Sequence, residues 1–374
     1  MIVLKVLVTG GAGFIGSHTV DLLIDKGFDI VILDNLEPQV HGGKKPDYLN
    51  PKAKFILGDV TNRDTWKNVL KDVDAVIHLA AMVGVGQSMY QPIRYLNANI
   101  LGTAKLYEVL LNRSELRKRI KKIIIASSMS IYGEGSYECK NCGIVYPGLR
   151  SKQQLEKKDW EIHCPKCGEY VKPISTNEDK PPSNLSTYAL TKYNQEKMSL
   201  NYGFALNIPT VALRYFNVFG PRQSLSNPYT GVCAIFSSRI KNKNPPIIYE
   251  DGLQTRDFIY VEDIARANLL CLEKFNGIGS FNVGTGNSVS VLKIAGTLIE
   301  LYGINVEPKI SKEFRVGDIR HAFGDVSKIE KEFGFIAKIS LKDGFKNLIE
   351  WGETQKALDR FEEAEKERMK YLGI

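Results

Sequence analysis

Long apolar runs are missing from this sequence. Its longest nearly uncharged apolar stretch, Ala75 to Gly86, contains His78 and falls well short of the ~18–20 residues that a membrane-crossing helix needs, so no membrane span is expected. Internal repeats and low-complexity tracts are also lacking, which excludes solenoid and largely disordered readings. Cysteine is scarce, six in 374 residues, and four of the six crowd between positions 139 and 167. A disulfide reading of these cysteines is the lesser alternative, since paired knuckles in a cytoplasmic protein rarely form bridges. No block of one charge dominates: 50 Lys and Arg against 42 Asp and Glu leave a net +8, with the basic residues scattered. That balance suits an anionic partner without choosing its class. Lys118 to Lys122 is the one dense basic run, and it reads as the solvated end of a helix, so no nucleic-acid partner is expected. Met1 to Val8 superficially suggests a leader, but Lys5 interrupts it and a glycine-rich turn follows, so it reads as a first strand of a cytoplasmic protein.

What is present is a chain of ordinary globular composition, 43% hydrophobic and 25% charged, long enough for two or three folded units. Short β-branched runs at Ile2–Val8, Ile30–Leu33, Lys54–Leu57, Ala75–Leu79 and Ile123–Ala126 alternate with helical patterns, among them Ile15–Lys26 and Ala98–Asn112. Near-continuous apolar strands separated by helices predict an α/β doubly wound parallel sheet. The alternation stops at Tyr137–Ile174 and resumes with a long helix from Tyr188 and a strand at Thr210–Tyr215. After about Phe219 the segments shorten and gain Pro, Gly and Asn, as in a smaller second lobe, and Thr354–Met369 reads as a charged helix.

The first strand runs into Gly10-Gly11-Ala12-Gly13-Phe14-Ile15-Gly16, which opens a helix. Gly10 permits a tight turn, Gly13 lets backbone approach a pyrophosphate and Gly16 allows close helix packing, while the helix N-terminus offers unpaired N–H donors to phosphate. Asp34, 18 residues beyond Gly16 at the end of the next strand, can accept both ribose hydroxyls and repel a 2′-phosphate. NAD is thus the expected dinucleotide, in a Rossmann fold. Asn35, Asp59 and Val60 follow the second and third strands toward the adenine, and Leu79-Ala80-Ala81 offers small groups beside the cofactor.

Tyr188 and Lys192 lie four residues apart, on one helix face. A phenol is a poor base near neutrality, but an adjacent ammonium and a positively charged nicotinamide would favour phenolate, making Tyr188 the base and Lys192 its tuner. Ser127-Ser128-Met129-Ser130 ends the fifth strand, at the edge where ligands bind in such sheets, and Ser128 can hydrogen-bond a reacting hydroxyl.

These motifs resemble the extended short-chain dehydrogenase/reductases, specifically their NAD-dependent nucleotide-sugar epimerase/dehydratase branch, over nearly the whole chain outside the cysteine-rich segment. The resemblance implies a catalytic Ser128, Tyr188 and Lys192, with NAD contacts that include Asn99, Tyr188 and Lys192, Asn99 supporting the active-site helix. It implies nucleotide-diphosphate-sugar contacts from Asn217, Arg256, Arg315 and Asp318, with Val316 where the family often has proline. Val83, Gly84, Ser128 and Ser130 would face the sugar. Sugar dehydratases of this branch place Asp-Glu after the catalytic Ser or Thr; Met129 and Ser130 can serve as neither acid nor base, which favours epimerisation at sugar carbon 4. Val83–Tyr90 and Ser226–Phe236 resemble a subgroup acting on dTDP-L-rhamnose, with UDP-glucose and UDP-glucuronate as rival substrates. A keto-sugar-releasing oxidoreductase and a non-enzymatic NAD-binding regulator are the alternatives from other classes. Homodimerisation through the helices at Ala98–Asn112 and from Tyr188 is also implied.

Cys139-Lys-Asn-Cys142-Gly and Cys164-Pro-Lys-Cys167-Gly are two knuckles 21 residues apart, the spacing of a four-thiolate zinc ribbon. A closed thiolate site is structural, and its position between Ser128 and Tyr188 suggests that it orders a wall or lid of the sugar pocket. His163 is a lesser candidate ligand, and Cys233 and Cys271 read as core residues. The expected layout is a Rossmann domain (1–136, 175–216, 250–275), a zinc insertion (137–174) and a substrate lobe (217–249, 276–374).

Overall fold

The computed structural model describes residues 3–315 and 317–372. Seven parallel strands form the central sheet: β1 (Lys5–Thr9), β2 (Asp29–Asp34), β3 (Lys54–Leu57), β4 (Ala75–His78), β5 (Lys122–Ser128), β6 (Thr210–Tyr215) and β7 (Ile278–Val283). Their order is β7-β6-β5-β4-β1-β2-β3. Chain direction along the sheet reverses between β1 and β4, and ligands of doubly wound sheets bind outside the carboxyl ends at such a switch.

Side-chain alternation explains why these strands are apolar throughout. Val6, Val8, Ile30, Ile32, Ile77 and Ile124 pack on one face with Val20 and Leu23 of α1 (Phe14–Asp25). Leu7, Val31, Leu33, Val76, Ile123 and Ile125 pack on the other with Trp66, and with Leu106 and Leu110 of α2 (Gly102–Asn112). Both faces are covered, as a parallel sheet requires. On the second face also lies α3 (Thr187–Leu206), capped at its start by Ser186 and ended by Asn207 in the left-handed conformation.

The second lobe has its own apolar core, in which Phe219, Phe236 of α4 (Val232–Lys241), Leu298 of α6 (Val291–Tyr302) and Phe345 of α7 (Leu341–Glu353) are buried together. Helix α5 (Val261–Lys274) returns to the sheet beside α1. The insertion folds as a three-stranded antiparallel sheet, Ser136–Cys139 between Gly143–Val145 and Lys172–Ile174, around Tyr137, Val145 and Ile162.

Several expected boundaries shift. The first strand begins at Lys5; Met1 and Ile2 lie outside the described residues. Residues 278–283, assigned to the second lobe, form β7 of the main sheet, because Ile278–Val283 registers against Thr210–Tyr215. Conversely Thr255–Arg256, assigned to the first domain, pairs with Val289–Ser290 and His321–Ala322 in the second lobe. The helix expected from Ala98 starts as a π turn, Leu96–Leu101. Residues 354–360 are not helical; the carbonyls of Gln355 and Ala357 are taken by Lys241 (2.7 Å) and Asn242 (2.9 Å), and helix α8 starts only at Phe361 and runs to Leu372. Lys122 of the basic run is buried rather than solvated, its ammonium capping the end of α5 on the Leu272 carbonyl (2.6 Å).

One buried knot fastens α3 to the sheet. Glu196 accepts two bonds from Arg214 of β6 (2.6 and 3.0 Å) and one from Ser127 of β5 (2.6 Å), and is fully buried. Removing one partner of such a pair strands the other charge in an apolar interior, so Glu196→Ala should lower stability by ~3–5 kcal/mol in urea unfolding. A loss below ~1 kcal/mol would mean that the knot carries no structural weight.

Candidate active site

The glycine-rich loop closes β1 onto α1. Gly10 sits at φ +68°, and a Cβ on Gly16 would lie 2.1 Å from the Gly10 carbonyl oxygen, so neither position tolerates a side chain. A Cβ on Gly13 would meet only the Gly10 carbonyl oxygen, at 3.3 Å, which makes Gly13 the open rim of a cradle. No side chain caps α1, so the N–H groups of Phe14, Ile15 and Gly16 face that rim. At the end of β2, Asp34 accepts from the Ala12 N–H (3.0 Å) and the Leu36 N–H (2.9 Å), leaving further lone pairs for a diol. Asp59 accepts from the Thr61 N–H (2.7 Å) and the Asn35 amide (2.9 Å). Although burial works the other way, the Thr61 and Asn35 bonds hold its carboxyl below the usual range. Val60 packs with the apolar cluster under α2, and Leu79 packs with the opposite cluster. The Ala80 N–H donates to Thr9 (3.2 Å), and Ala81 is half-buried beyond it. These residues fit a dinucleotide: an uncapped helix start, a glycine-rich loop and a carboxylate at the end of the neighbouring strand.

Asn99 joins the end of β4 to α3, accepting from the Met82 N–H (2.7 Å) and donating to Thr191 (2.9 Å). Thr191 in turn donates to the Tyr188 carbonyl (2.8 Å), and the Tyr188 N–H donates to Ser88 (2.9 Å). The start of α3 is thereby fixed beside residues 82–88. Ser128 accepts from the Ser130 N–H (3.2 Å) and stands 2.9 Å from the Ser130 hydroxyl, so its own proton is free for another oxygen. Burial pushes the Tyr188 phenol up to about 12, opposed by the Ser128 hydroxyl. Burial also pulls the Lys192 ammonium down to about 7, with Glu196 opposing. The expected tuning of Tyr188 by Lys192 is thus not accomplished by the protein alone: the ammonium donates to Gln195 (2.8 Å), and the phenol keeps its proton.

Gln195 reveals a network that sequence reading missed. Its amide donates to Thr103 (2.8 Å), whose hydroxyl donates to the Asn99 carbonyl (2.7 Å). His78 Nε2, 3.0 Å from Thr103, must therefore be the protonated nitrogen, and Nδ1 accepts from Thr9 (2.7 Å). Burial holds His78 neutral by lowering it to about 3. Lys192 is thus wired through Gln195, Thr103 and His78 to Thr9 at the head of the glycine loop. Single polar residues at Thr9, His78, Thr103 and Gln195 carry no spacing signal; only their burial in apolar segments could have drawn attention.

The expected substrate contacts come from the second lobe. Asn217 has a buried amide oxygen without a hydrogen-bond partner, suited to a ligand donor. Arg256 donates to the backbone carbonyls of Thr255 (2.7 Å), Ile319 (2.7 Å) and Arg320 (3.0 Å) and does not pair with Asp257. Arg315 donates to Asp318 (2.8 Å) and lies over the Tyr249 ring at 4.5 Å; Val316 is outside the described residues. Val83 is exposed, and a Cβ on Gly84, at φ +136°, would lie 2.9 Å from the Tyr95 hydroxyl. Tyr95 stands edge-on to Tyr188, ring centres 6.4 Å apart.

The four knuckle cysteines come together, their sulfurs all within 4.8 Å of one another, with Cys139 and Cys167 3.6 Å apart. Four thiolates about 2.3 Å from one zinc have edges of roughly 3.8 Å, so the cluster fits a tetrahedral ion. Against burial, the Lys166 and Cys167 N–H groups pull Cys164 down to about 6. His163 stays outside, its ring nitrogens 2.9 Å from the Gly168 carbonyl and 2.8 Å from Asp159. Cys233 and Cys271 are buried in the two cores. The insertion touches the second lobe through ions: Arg150 donates to Glu250 (2.7 and 2.9 Å), and Arg320 to Glu250 (3.0 Å), Asp251 and Glu161. It therefore braces the Ile319–Arg320 backbone that holds Arg256.

The sequence pattern of the NAD dependent epimerase/dehydratase family matches residues 6–147 and 164–284, and the chain belongs to that family. The unmatched gap falls inside the insertion. A dTDP-L-rhamnose 4-epimerase of Burkholderia thailandensis is 36% identical over 328 residues, 87% of this chain and 88% of that one. Among solved structures, UDP-glucose 4-epimerase of Thermotoga maritima with UDP-glucose superposes with TM-score 0.76 at 32% identity, covering 94% of this chain and 99% of that one. UDP-glucuronic acid 4-epimerase of Bacillus cereus, in complex with UDP-glucuronic acid and NAD, gives 0.75 at 28%, covering 94% and 99%.

Burial of the Lys192 charge has a measurable sign. The folded value, about 7, lies below the unfolded 10.5, so folding opposes protonation; the penalty is full below pH 7 and fades as pH rises toward 10.5. Lys192→Met should therefore be more stable to urea than the unaltered chain at pH 6, by ~1 kcal/mol or more, with the advantage gone near pH 10.5. An equal or lower stability at pH 6 would contradict the assigned burial cost.

Proposed function

We propose that the protein is a NAD-dependent nucleotide-sugar 4-epimerase, with dTDP-L-rhamnose as its substrate. The observation that carries this reading is the meeting of Ser128 at the end of β5 with Tyr188 and Lys192 on α3, without an acid or base at positions 129 and 130. Met129 is buried, and the Ser130 side chain is spent on Ser128. Neither residue can serve as the acid or base that expelling water from the sugar needs, which argues against dehydration. The family membership and the relative at 36% identity support the epimerase assignment and the choice of sugar. UDP-sugars remain the second substrates to try, since the two structural neighbours are named for them.

NAD, held by Gly10, Gly13, Phe14, Ile15, Gly16, Asp34 and Asp59, would supply reversible oxidation at sugar carbon 4. Ser128 donates to the reacting O4, Tyr188 takes and later returns its proton, and Lys192 fixes the field around the phenol. Because Tyr188 starts at about 12, it becomes a base only when further positive charge reaches the site, which couples proton removal to loading. Asn217, Arg256 and Arg315 would bind the diphosphate, guanidinium on phosphate being the strong pairing.

In the same reading, Cys139, Cys142, Cys164 and Cys167 hold a structural zinc that keeps the Arg150–Glu250–Arg320 brace in place. Reduced thiols at that centre suit a cytoplasmic protein. A homodimer would use the two helices flanking the site, which expose Leu101, Leu111, Leu190 and Phe204. Among the described residues no helix is long and apolar enough to cross a membrane.

Incubation with dTDP-L-rhamnose, followed by NMR, should show conversion to the C4 epimer without net formation of reduced nicotinamide. Steady release of reduced cofactor would favour the oxidoreductase alternative, and no turnover with any nucleotide sugar would overturn the enzyme assignment. Tyr188→Phe should lower kcat by ~10²–10⁴-fold while nucleotide binding is kept. Metal analysis should find one zinc per chain, and Cys164→Ser should lose it together with substrate affinity; retention of affinity would sever the insertion from the site.

A further inference from the structure

The C-terminal helix α8 belongs to none of the elements discussed so far. The chain leading to it is anchored on α4: Arg239 and Asn244 hold Asp359 (3.1 and 2.7 Å), the Arg239 guanidinium covers the Phe361 ring at 4.8 Å, and Ser226 bonds the backbone of Lys356 and Leu358. From there the helix crosses toward the substrate contacts. Glu367 accepts the Tyr229 hydroxyl, and Tyr371 stacks on Tyr90 with ring centres 4.9 Å apart and planes at 7°. Tyr229 is also the residue whose Cβ and carbonyl oxygen stand 3.4 Å from a Cβ placed on Gly84. One end of the helix therefore rests on the wall formed by Val83 and Gly84, two contacts from Tyr188 through Tyr95. Two residues before Glu367, Glu365 is held by Arg368 (2.7 Å) and lies beside Tyr249 and Arg315: burial and then Glu365 push the Tyr249 phenol up, and against burial Asp318, Tyr249 and Glu365 push the Arg315 guanidinium up.

The helix thus reaches both the expected sugar end and the expected diphosphate end of the cleft. Its attachment is thin. None of residues 361–371 is buried, and a 12-residue helix is marginal in water without an apolar face to bury. Among the described residues it is held by the Tyr371–Tyr90 stack, the Glu367–Tyr229 bond, Glu365 beside Tyr249 and Arg315, and the anchor on Arg239, the kind of attachment from which mobile covers are drawn. An epimerase has reason for such a cover, because an oxidised sugar must turn over inside the cleft without leaving. Arg368 neutralises Glu365, the carboxylate of the helix that lies beside Arg315.

We propose that α8 is a lid over the nucleotide-sugar cleft, latched at its sugar end by Glu367 on Tyr229 and Tyr371 on Tyr90. This rests on the nucleotide-sugar reading of the site. The test uses the full chain with UDP and dTDP as probes. Nucleotide should slow trypsin cleavage after Lys366, Arg368 and Lys370, followed by mass spectrometry, by about tenfold. The Glu367→Gln, Tyr371→Ala double variant should keep its Tm, lose that protection, and show a KM for nucleotide sugar and a Kd for nucleotide raised about tenfold, equivalent to ~1.4 kcal/mol. Binding of nucleotide to the unaltered chain without protection of the helix, or a double variant that binds as tightly, would overturn the lid alone. No nucleotide binding to the unaltered chain would overturn the nucleotide-sugar reading and the lid with it.

Discussion

Everything in the site hangs on how α3 is pressed against the carboxyl ends of β5 and β6, and a single buried carboxylate governs that. Glu196 is one turn from Lys192 and binds Ser127 and Arg214 at once, so the helix cannot rotate or slide without breaking three bonds in an apolar interior. Buried pairs of this sort add little net stability compared with well-packed apolar residues. Their use here is positional. Ser127 is adjacent to Ser128, and Tyr188 and Lys192 are on the same helix face as Glu196, so one knot sets the mutual placement of all three reacting groups. Arg214 extends the knot to the Tyr132 hydroxyl (2.8 Å), and Tyr132 to Asn282 of β7 (2.7 Å), carrying the constraint across three strands.

What sequence could reveal divides along physical lines. The glycine loop, the paired Tyr188 and Lys192, and the cysteine knuckles depend on local geometry: a turn, one helical face, a four-ligand shell. Residue types at short spacing encode such things directly. The strands were legible because each is apolar on both faces. The polar network of Thr9, His78, Thr103 and Gln195 was not, because its members meet from four separate elements and none has a neighbour in sequence that marks its role. The non-helical course of residues 354–360 was misread for a related reason: a charged, glycine-free segment favours helix in isolation, and residues more than a hundred positions away, among them Ser226, Arg239, Lys241, Asn242 and Asn244, supply the competing hydrogen bonds.

Arg256 shows a further limit. Its sequence neighbour Asp257 turns away from it to accept from the Thr285 and Gly286 N–H groups (2.8 and 2.9 Å). The guanidinium instead reads the backbone of residues 319 and 320, whose position is set by Arg320 reaching into the insertion. Glu161, at the far side of that reach, is drawn down to about 2 by its bonds to His321 and Arg320 despite partial burial. The cysteine module and Arg256 are thus neighbours through one ion network, although Cys164 and Arg256 are 92 positions apart. A family pattern that skips residues 148–163 passes over the part of the chain that makes this connection.

The charges of the reacting groups then explain why so much of the structure is devoted to enclosure. A phenol near 12 beside an ammonium near 7 is a pair in which burial has suppressed both ionised forms. In that condition burial disfavours the phenolate form that Tyr188 needs as a base. Water admitted to the site would restore the ammonium but screen it from the phenol; a cation brought in with water excluded would act on the phenol at full strength. The second arrangement needs a floor that does not shift, which Glu196 provides, a braced side wall, which the Arg150–Glu250–Arg320 network provides, and a cover. Of the described elements, α8 is the one placed over both ends of that cleft and bound lightly enough to leave it.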